Sequence, residues 1–433
     1  MGKTRRSFLQ QGIVGAAVAS AATVRASSAV NERVRLGVIG PGGMGSAHIR
    51  QLVQRSDAEV AWVCDVDSQR AGNASETVSD ATGRSPQSTA DLRKILDDDS
   101  IDAVFIATPD HWHVPAAIMS LDAGKHVYVE KPCCHNFREG LLLQEAVTRS
   151  GKHLQVGTQS RSADFLQEGI QRIHEGEIGE VLVAKAWNSQ RRGSIGKRQP
   201  EAPPAYIDFN TWLGPSPERS YQSNLLHANW RWWYDFGCGD MGNDGIHDID
   251  VALWGLGIQH LPSKLSCIGG KYFFDDDQQF PDTQTAIVEY SGEQSRSPRQ
   301  LIFEQRIWNP YKLHGYENGQ AFFGTKGYVI MGHTKGWRLY GERDRLIAER
   351  TGKLNIEPHH DNFLACVRGN ASSTNADVIA GTQSAAVVHL ANISARTGRT
   401  LGFDSAANVV QDDDQSTAML GRRYRDHWST PAA

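Results

Sequence analysis

An α/β architecture in two parts is predicted by three features of this 433-residue chain. Its length exceeds what one ordinary domain uses. From Arg33 onward, short apolar runs alternate with helical patterns, as in a parallel sheet with crossover helices. A glycine-rich turn, Gly40-Pro41-Gly42-Gly43-Met44-Gly45, closes the first of those runs and opens the first helix.

The elements follow in order. Residues 34–39 read as a buried strand, and 59–65, 101–107, 126–129 and 153–156 as four more. Helical stretches at 91–96, 114–123 and 137–150 lie between them. In the turn, the first glycine permits the tight bend and the second admits a pyrophosphate close to the backbone. The third lets helix pack on strand. Amides at the helix start then hold phosphate charge, so Gly40, Gly42, Gly43, Met44 and Gly45 are assigned to a dinucleotide. The second strand ends in Asp65, twenty residues beyond Gly45. Its carboxylate suits both adenosine ribose hydroxyls and repels a 2′-phosphate, which favours NAD. Arg70 keeps NADP as the alternative, because a guanidinium there would hold that phosphate.

Ahead of this domain, Thr4-Arg5-Arg6-Ser7-Phe8-Leu9 resembles the twin-arginine export consensus. A run of small and apolar residues from Gly12 to Ala22 and a small-residue cleavage site at Val24-Arg25-Ala26 complete a leader over 1–30. The expected location is therefore periplasmic, through the twin-arginine (Tat) export machinery, or membrane-tethered if the leader stays. The run falls short of the roughly 20 apolar residues of a spanning helix, so no stable membrane span is expected once it is removed. Cutting after Ala26 removes four basic residues and no acid, taking the formal charge from −4 to −8. That balance argues against nucleic acid as a partner. No Cys-x-x-Cys occurs among the six cysteines, which read as packing thiols.

Two further motifs stand at strand ends, where open parallel sheets place their ligands: Ala107-Thr108-Pro109-Asp110-His111-Trp112-His113 and Glu130-Lys131-Pro132. With the glycine turn, they resemble the Gfo/Idh/MocA oxidoreductase family, from about Val34 to Arg399. The resemblance implies a Rossmann NAD(P)-binding domain over 31–157 and a C-terminal α/β domain over 158–403 with a large, mostly antiparallel open sheet. A polar tail occupies 404–433. Strand-like stretches at 181–187, 264–272, 283–290, 300–307, 327–331 and 336–340 agree with the second sheet. By the same analogy the back of that sheet joins subunits, so a homodimer or homotetramer is expected, with the tail wrapping a neighbour.

The resemblance also assigns roles. Lys131 carries over as the catalytic lysine beside the nicotinamide, orienting the substrate oxygen and favouring the developing alkoxide. Glu130, Thr108, Pro109 and His113 are placed at the cofactor, while His111 reads equally as a surface turn residue. The segment Gly237-Cys238-Gly239-Asp240-Met241-Gly242-Asn243-Asp244-Gly245-Ile246-His247 resembles the family's lead into a substrate-facing helix. Many relatives carry Asp four residues before the His, where this chain has Asn243 with Asp244 beside it. His247 is expected as the general acid/base, because an unperturbed imidazole near about pH 6.5 suits proton transfer. Asn243, Asp244, Arg161 and Arg231 are expected to bind the substrate. No metal is expected, since none of the acid or histidine clusters has a ligand spacing and hydride transfer does not require one.

Between 188 and 231 lies a long, proline-containing segment ending in Trp230-Arg231-Trp232-Trp233, read either as an aromatic sugar-binding loop or as packing. The leading expectation is an oxidoreductase that passes hydride between a carbohydrate or polyol and a tightly held NAD(P). The alternatives are redox-neutral glycoside cleavage through transient oxidation, and a non-catalytic carbohydrate-binding protein.

Overall fold

A computed structural model of the protein describes residues 33–292 and 297–431. The export leader read at 1–30 lies outside the described residues. The first sheet has six strands: β1 (Val34–Ile39), β2 (Ala58–Cys64), β3 (Gln87–Thr89), β4 (Ala103–Ile106), β5 (His126–Val129) and β6 (Leu154–Val156). All neighbours pair in parallel, in the order β3-β2-β1-β4-β5-β6. Crossover helices cover both faces, so the central strands are buried throughout and read as continuous apolar runs. The sequence reading places five of these strands within two residues at either end and misses β3, a polar and mostly exposed strand of three residues.

Helix ends are set by local chemistry. Asp67 accepts hydrogen bonds from the amides of Gln69 and Arg70 to start the helix Ser68–Thr82, and left-handed Gly83 ends it. Asn136 and Gly151 do the same for Phe137–Ser150. Each such cap contributes about 1 kcal/mol. The helix Gly43–Leu52 has neither a side-chain cap on its N-terminus nor an acid in its first turn. Those amides are left for a ligand.

The second sheet has ten strands. They are β7 (Val181–Ser189), β8 (Lys264–Gly270), β9 (Thr283–Tyr290), β10 (Arg299–Arg306), β11 (Asn318–Gly324), β12 (Gly327–Gly332), β13 (Gly336–Tyr340), β14 (Leu346–Arg350), β15 (Leu401–Asp404) and β16 (Val409–Val410). Their order is β14-β13-β12-β11-β7-β10-β9-β8-β15-β16, antiparallel except for the parallel β7–β10 pair. One face is buried and the other open, hence the strict alternation along β9, where Gln284, Ala286, Val288 and Tyr290 point inward and Ile287 outward. The helix Ile246–Leu256 lies on the inner face, where Gly255 lets it approach Phe322 and Gly245 lets it approach Phe303.

The chain then returns to the first sheet. Phe363 and Leu364 of the helix Glu357–Val367 join Phe105 and Tyr128 in one core cluster. A second cluster runs without interruption from the crossover helices of the first sheet to the inner face of the second. This shared core fixes the ends of β1, β4 and β5 opposite the start of the helix Ile246–Leu256. No helix among the described residues is long and apolar enough to cross a membrane.

Candidate active site

The glycine turn forms a cradle open to a ligand. Gly40 has φ of +81°, and a Cβ there would lie 2.8 Å from the Thr108 amide. A Cβ on Gly45 would collide with the Gly40 carbonyl, while Gly43 faces open space. With an uncapped helix start, these are the conditions a pyrophosphate requires. Asp65 stands at the end of β2, its Oδ1 accepting the Asp67 amide at 2.9 Å. Burial raises its carboxyl to about 6 against the hydrogen bond from Asp67 and the charge of Arg70. The Arg70 guanidinium lies over Gly42, where a Cβ would meet it at 2.6 Å. The residues present fit a nicotinamide dinucleotide.

Of the site residues read from the sequence, all but Gly45, Arg161, Asp244 and His247 line one cleft. Gly45 lies beneath it as the packing glycine. His113 ties the two strand-end motifs together, its ring nitrogens against the carbonyls of Pro132 at 2.7 Å and Thr108 at 2.9 Å. His111 is not a surface residue. Its ring is fully buried between Trp212 and Phe236 and contacts the Trp212 carbonyl at 2.9 Å.

Glu130 is buried, with Oε1 contacting His48 at 3.0 Å and accepting from Gln159 at 3.1 Å. Burial alone would raise its carboxyl, but the hydrogen bond and charge of His48, with Lys131 and His247, hold it at about 2. His48 in turn meets His360 at 2.9 Å. Glu130 is thus a fixed negative charge behind Lys131. The Lys131 ammonium donates to the backbone carbonyl of Asn243 across the cleft.

Asn243 lies in a π-helical turn, Met241–Gly245, at the head of the substrate-facing helix. Its side chain is held from both sides, accepting from Arg231 Nε at 2.8 Å and donating to Asp240 at 2.9 Å. Asp244 pairs with Arg192, a residue the sequence reading did not single out. Burial opposes ionisation of Asp244, yet Arg192, Lys131 and His247 keep its carboxyl below the usual range. Asp240 shares Arg192 at 3.2 Å and is raised by burial and by Asp244, so Asp244 carries the charge of the pair.

Two expectations change here. His247 does not keep an ordinary imidazole pKa, because burial and the neighbouring Lys131 charge push it down to about 3. Its Nδ1 is buried without a hydrogen-bond partner among the described residues. The ring is therefore a neutral acceptor near pH 7. Arg161 is engaged away from the cleft, bidentate to buried Asp250 at 2.8 and 2.9 Å and over the Trp254 ring. Its guanidinium is committed to a structural ion pair rather than to a ligand.

The long segment before the π-turn resolves into both readings. Trp212, Trp230, Trp232, Trp233 and Phe236 form a core cluster of their own, while Trp230, Arg231 and His227 also line the cleft. All six cysteines are buried free thiols.

Residues 34–158 match the family model described as an oxidoreductase family with an NAD-binding Rossmann fold, and 182–286 match its C-terminal alpha/beta domain. Inositol 2-dehydrogenase of Corynebacterium glutamicum is 31% identical over 331 residues, spanning 74% of this chain and 80% of that protein. The chain belongs to the Gfo/Idh/MocA oxidoreductase family. A glycosyl hydrolase family 109 protein of Saccharopolyspora erythraea is 29% identical over 157 residues, which is 35% of this chain and 34% of that relative. Among solved structures, the WlbA dehydrogenase of Bordetella pertussis, in complex with NADH and UDP-GlcNAcA, superposes with a TM-score of 0.62. That match has 21% identity and covers 86% of this chain and 99% of that one. Members of the Gfo/Idh/MocA family of this kind are NAD(P)-dependent oxidoreductases of CH–OH groups, and the Rossmann domain with its second, mostly antiparallel sheet is the family's fold.

Proposed function

We propose that this enzyme transfers hydride between a secondary alcohol of a carbohydrate or polyol and an NAD(P) that stays bound between turnovers. The observation that carries the reading is the position of Lys131, set between the glycine cradle and the π-turn with its ammonium on the Asn243 carbonyl. Bound nicotinamide supplies the hydride acceptor or donor. Lys131 directs its positive charge at the substrate oxygen and stabilises negative charge there. His247, neutral in the substrate-free site, accepts the hydrogen bond of the hydroxyl and takes its proton as the C–H bond breaks. Arg231 and Asn243 hold further hydroxyls. The carboxylate of Asp65 favours NAD over NADP, with Arg70 as the group that would admit a 2′-phosphate.

The twin-arginine leader supports export of the folded, cofactor-loaded protein to the periplasm, where a captive cofactor has to be recycled in place. Ile268 and Ile287, exposed on the open sheet face, support a homo-oligomer built on it. The family 109 relative favours a second reading, transient oxidation followed by glycoside cleavage and return of the hydride.

The test is to load the protein with NAD and to analyse products from a panel of carbon-deuterated polyols, free sugars and glycosides. A stable keto-sugar or lactone, with label moving between sugar and cofactor, is the expected result. A cleaved glycoside without net cofactor reduction selects the second reading, and binding without label exchange overturns both.

A further inference from the structure

We propose that the C-terminal segment from Arg422 to Trp428 is a latch that pins a roof over the adenosine half of the cofactor and brings Trp428 to the wall of the dinucleotide site. The inference rests on the reading of a cofactor retained between turnovers.

The roof comes from the long segment before the π-turn. At the exit of β2 it is stitched on by backbone hydrogen bonds, from the Ser68 amide to the Tyr206 carbonyl at 3.0 Å and from the Asp208 amide to the Val66 carbonyl at 2.9 Å. Asp67 and Ile207 form an isolated bridge between these bonds. His227 closes on Asp67 Oδ2 at 3.2 Å, two residues from Asp65. Ile207, Thr211, Trp212, Leu226 and His227 thereby line the cleft opposite Asp65 and Arg70. A group bound at Asp65 has this segment between itself and solvent.

The tail fastens the roof to the first domain from outside. The Arg425 guanidinium donates to the carbonyls of Gly214 and Asn210, each at 2.6 Å, and to Asn210 Oδ1 at 2.9 Å. Arg422 is nearly buried and joins three separate pieces of chain. It pairs with Glu139 at 2.7 Å and donates to Ser216 Oγ at 2.9 Å and to the His111 carbonyl at 2.7 Å. Tyr424 adds a hydrogen bond to Glu139 at 2.9 Å. These contacts deliver Trp428 to the cleft wall, beside Trp112 with ring centroids 5.6 Å apart and under the Arg93 guanidinium at 4.4 Å. Trp428 is 38% exposed and shares the wall with Leu92 and Ala90, past the end of β3. An aromatic face there suits the adenine ring. Opening the roof requires breaking several charge-assisted hydrogen bonds at once, so the tail sets the rate at which dinucleotide leaves.

The test uses the full-length protein loaded with NADH and diluted into excess NAD, following loss of bound-NADH fluorescence. Arg425→Ala touches no ligand and removes three fastenings; it is expected to release NADH at least tenfold faster, with the single-turnover rate of reduction of pre-bound NAD within twofold of wild type. Trp428→Ala is expected to release NADH faster as well, and Arg425→Lys to recover part of the slow phase. Equal, slow release from wild type, Arg425→Ala and Trp428→Ala overturns the latch while leaving the retained cofactor intact. Fast release from wild type overturns retention itself. Limited proteolysis after Arg423 reports independently on tail detachment, and a tail cut there no sooner in Arg425→Ala than in wild type overturns the fastening.

Discussion

Asp65 and His247 titrate on opposite sides of their ordinary ranges, and each shift has a consequence. Asp65 has its carboxyl raised to about 6 by burial, and only the ionised form accepts both ribose hydroxyls. NAD affinity is therefore expected to be full above pH 6 and to fall as pH drops through 6, by up to about tenfold per unit. Equilibrium titration with NAD across pH 5–8 checks this, and Asp65→Asn should flatten the limb. His247, held down at about 3, stays neutral through the physiological range. At saturating NAD, kcat/KM for the alcohol should show no histidine limb at pH 6–7, and a limb there would place the imidazole in an unburied, uncoupled state. Lys131→Ala should lower kcat by about 10²–10⁴-fold while leaving bound dinucleotide in place. Residue type and spacing made Lys131, Asp65 and the glycines legible. They could not show the pKa of His247, which depends on a neighbour 116 positions away in sequence, nor that Arg161 is taken by Asp250.

At the level of elements, the glycine turn and its helix form the part that tolerates least change. Gly45→Ala drives a methyl into the Gly40 carbonyl and forces the helix Gly43–Leu52 off β1. A loss of about 1–3 kcal/mol is expected, read as a lower Tm together with weakened dinucleotide binding. Strongly apolar or alternating strands were legible, β1, β5, β9 and β13 to the residue. The strands missed were β3, β11, β14, β15 and β16. Among them, β3 and β14 are exposed edge strands, and β11 begins with Asn318-Gly319-Gln320, where low strand propensity hides a buried central position. The π-turn could not be read either. Four residues apart, Asn243 and His247 would share one face of an α-helix, whereas the wider turn presents the Asn243 carbonyl to Lys131 and gives its side chain to Arg231 and Asp240.

For the whole molecule, two sheets on one continuous core hold the cofactor cradle and the substrate-facing helix at a fixed separation. The tail, expected to wrap a neighbouring subunit, packs on its own chain through Arg422 and Arg425. Nothing local in its sequence signals this, because the contacts of Arg422, Tyr424 and Arg425 with Glu139, Ser216, His111, Gly214 and Asn210 each span more than 200 residues. The protein is proposed to be an exported oxidoreductase that carries its nicotinamide and turns over a sugar or polyol in place. Native mass spectrometry of the protein recovered from the periplasm, without added cofactor, tests it most directly. One NAD or NADP per chain, surviving dialysis and reduced by a substrate alcohol, is the predicted result. Protein recovered without dinucleotide, and binding NAD(P) only in rapid exchange, would contradict it.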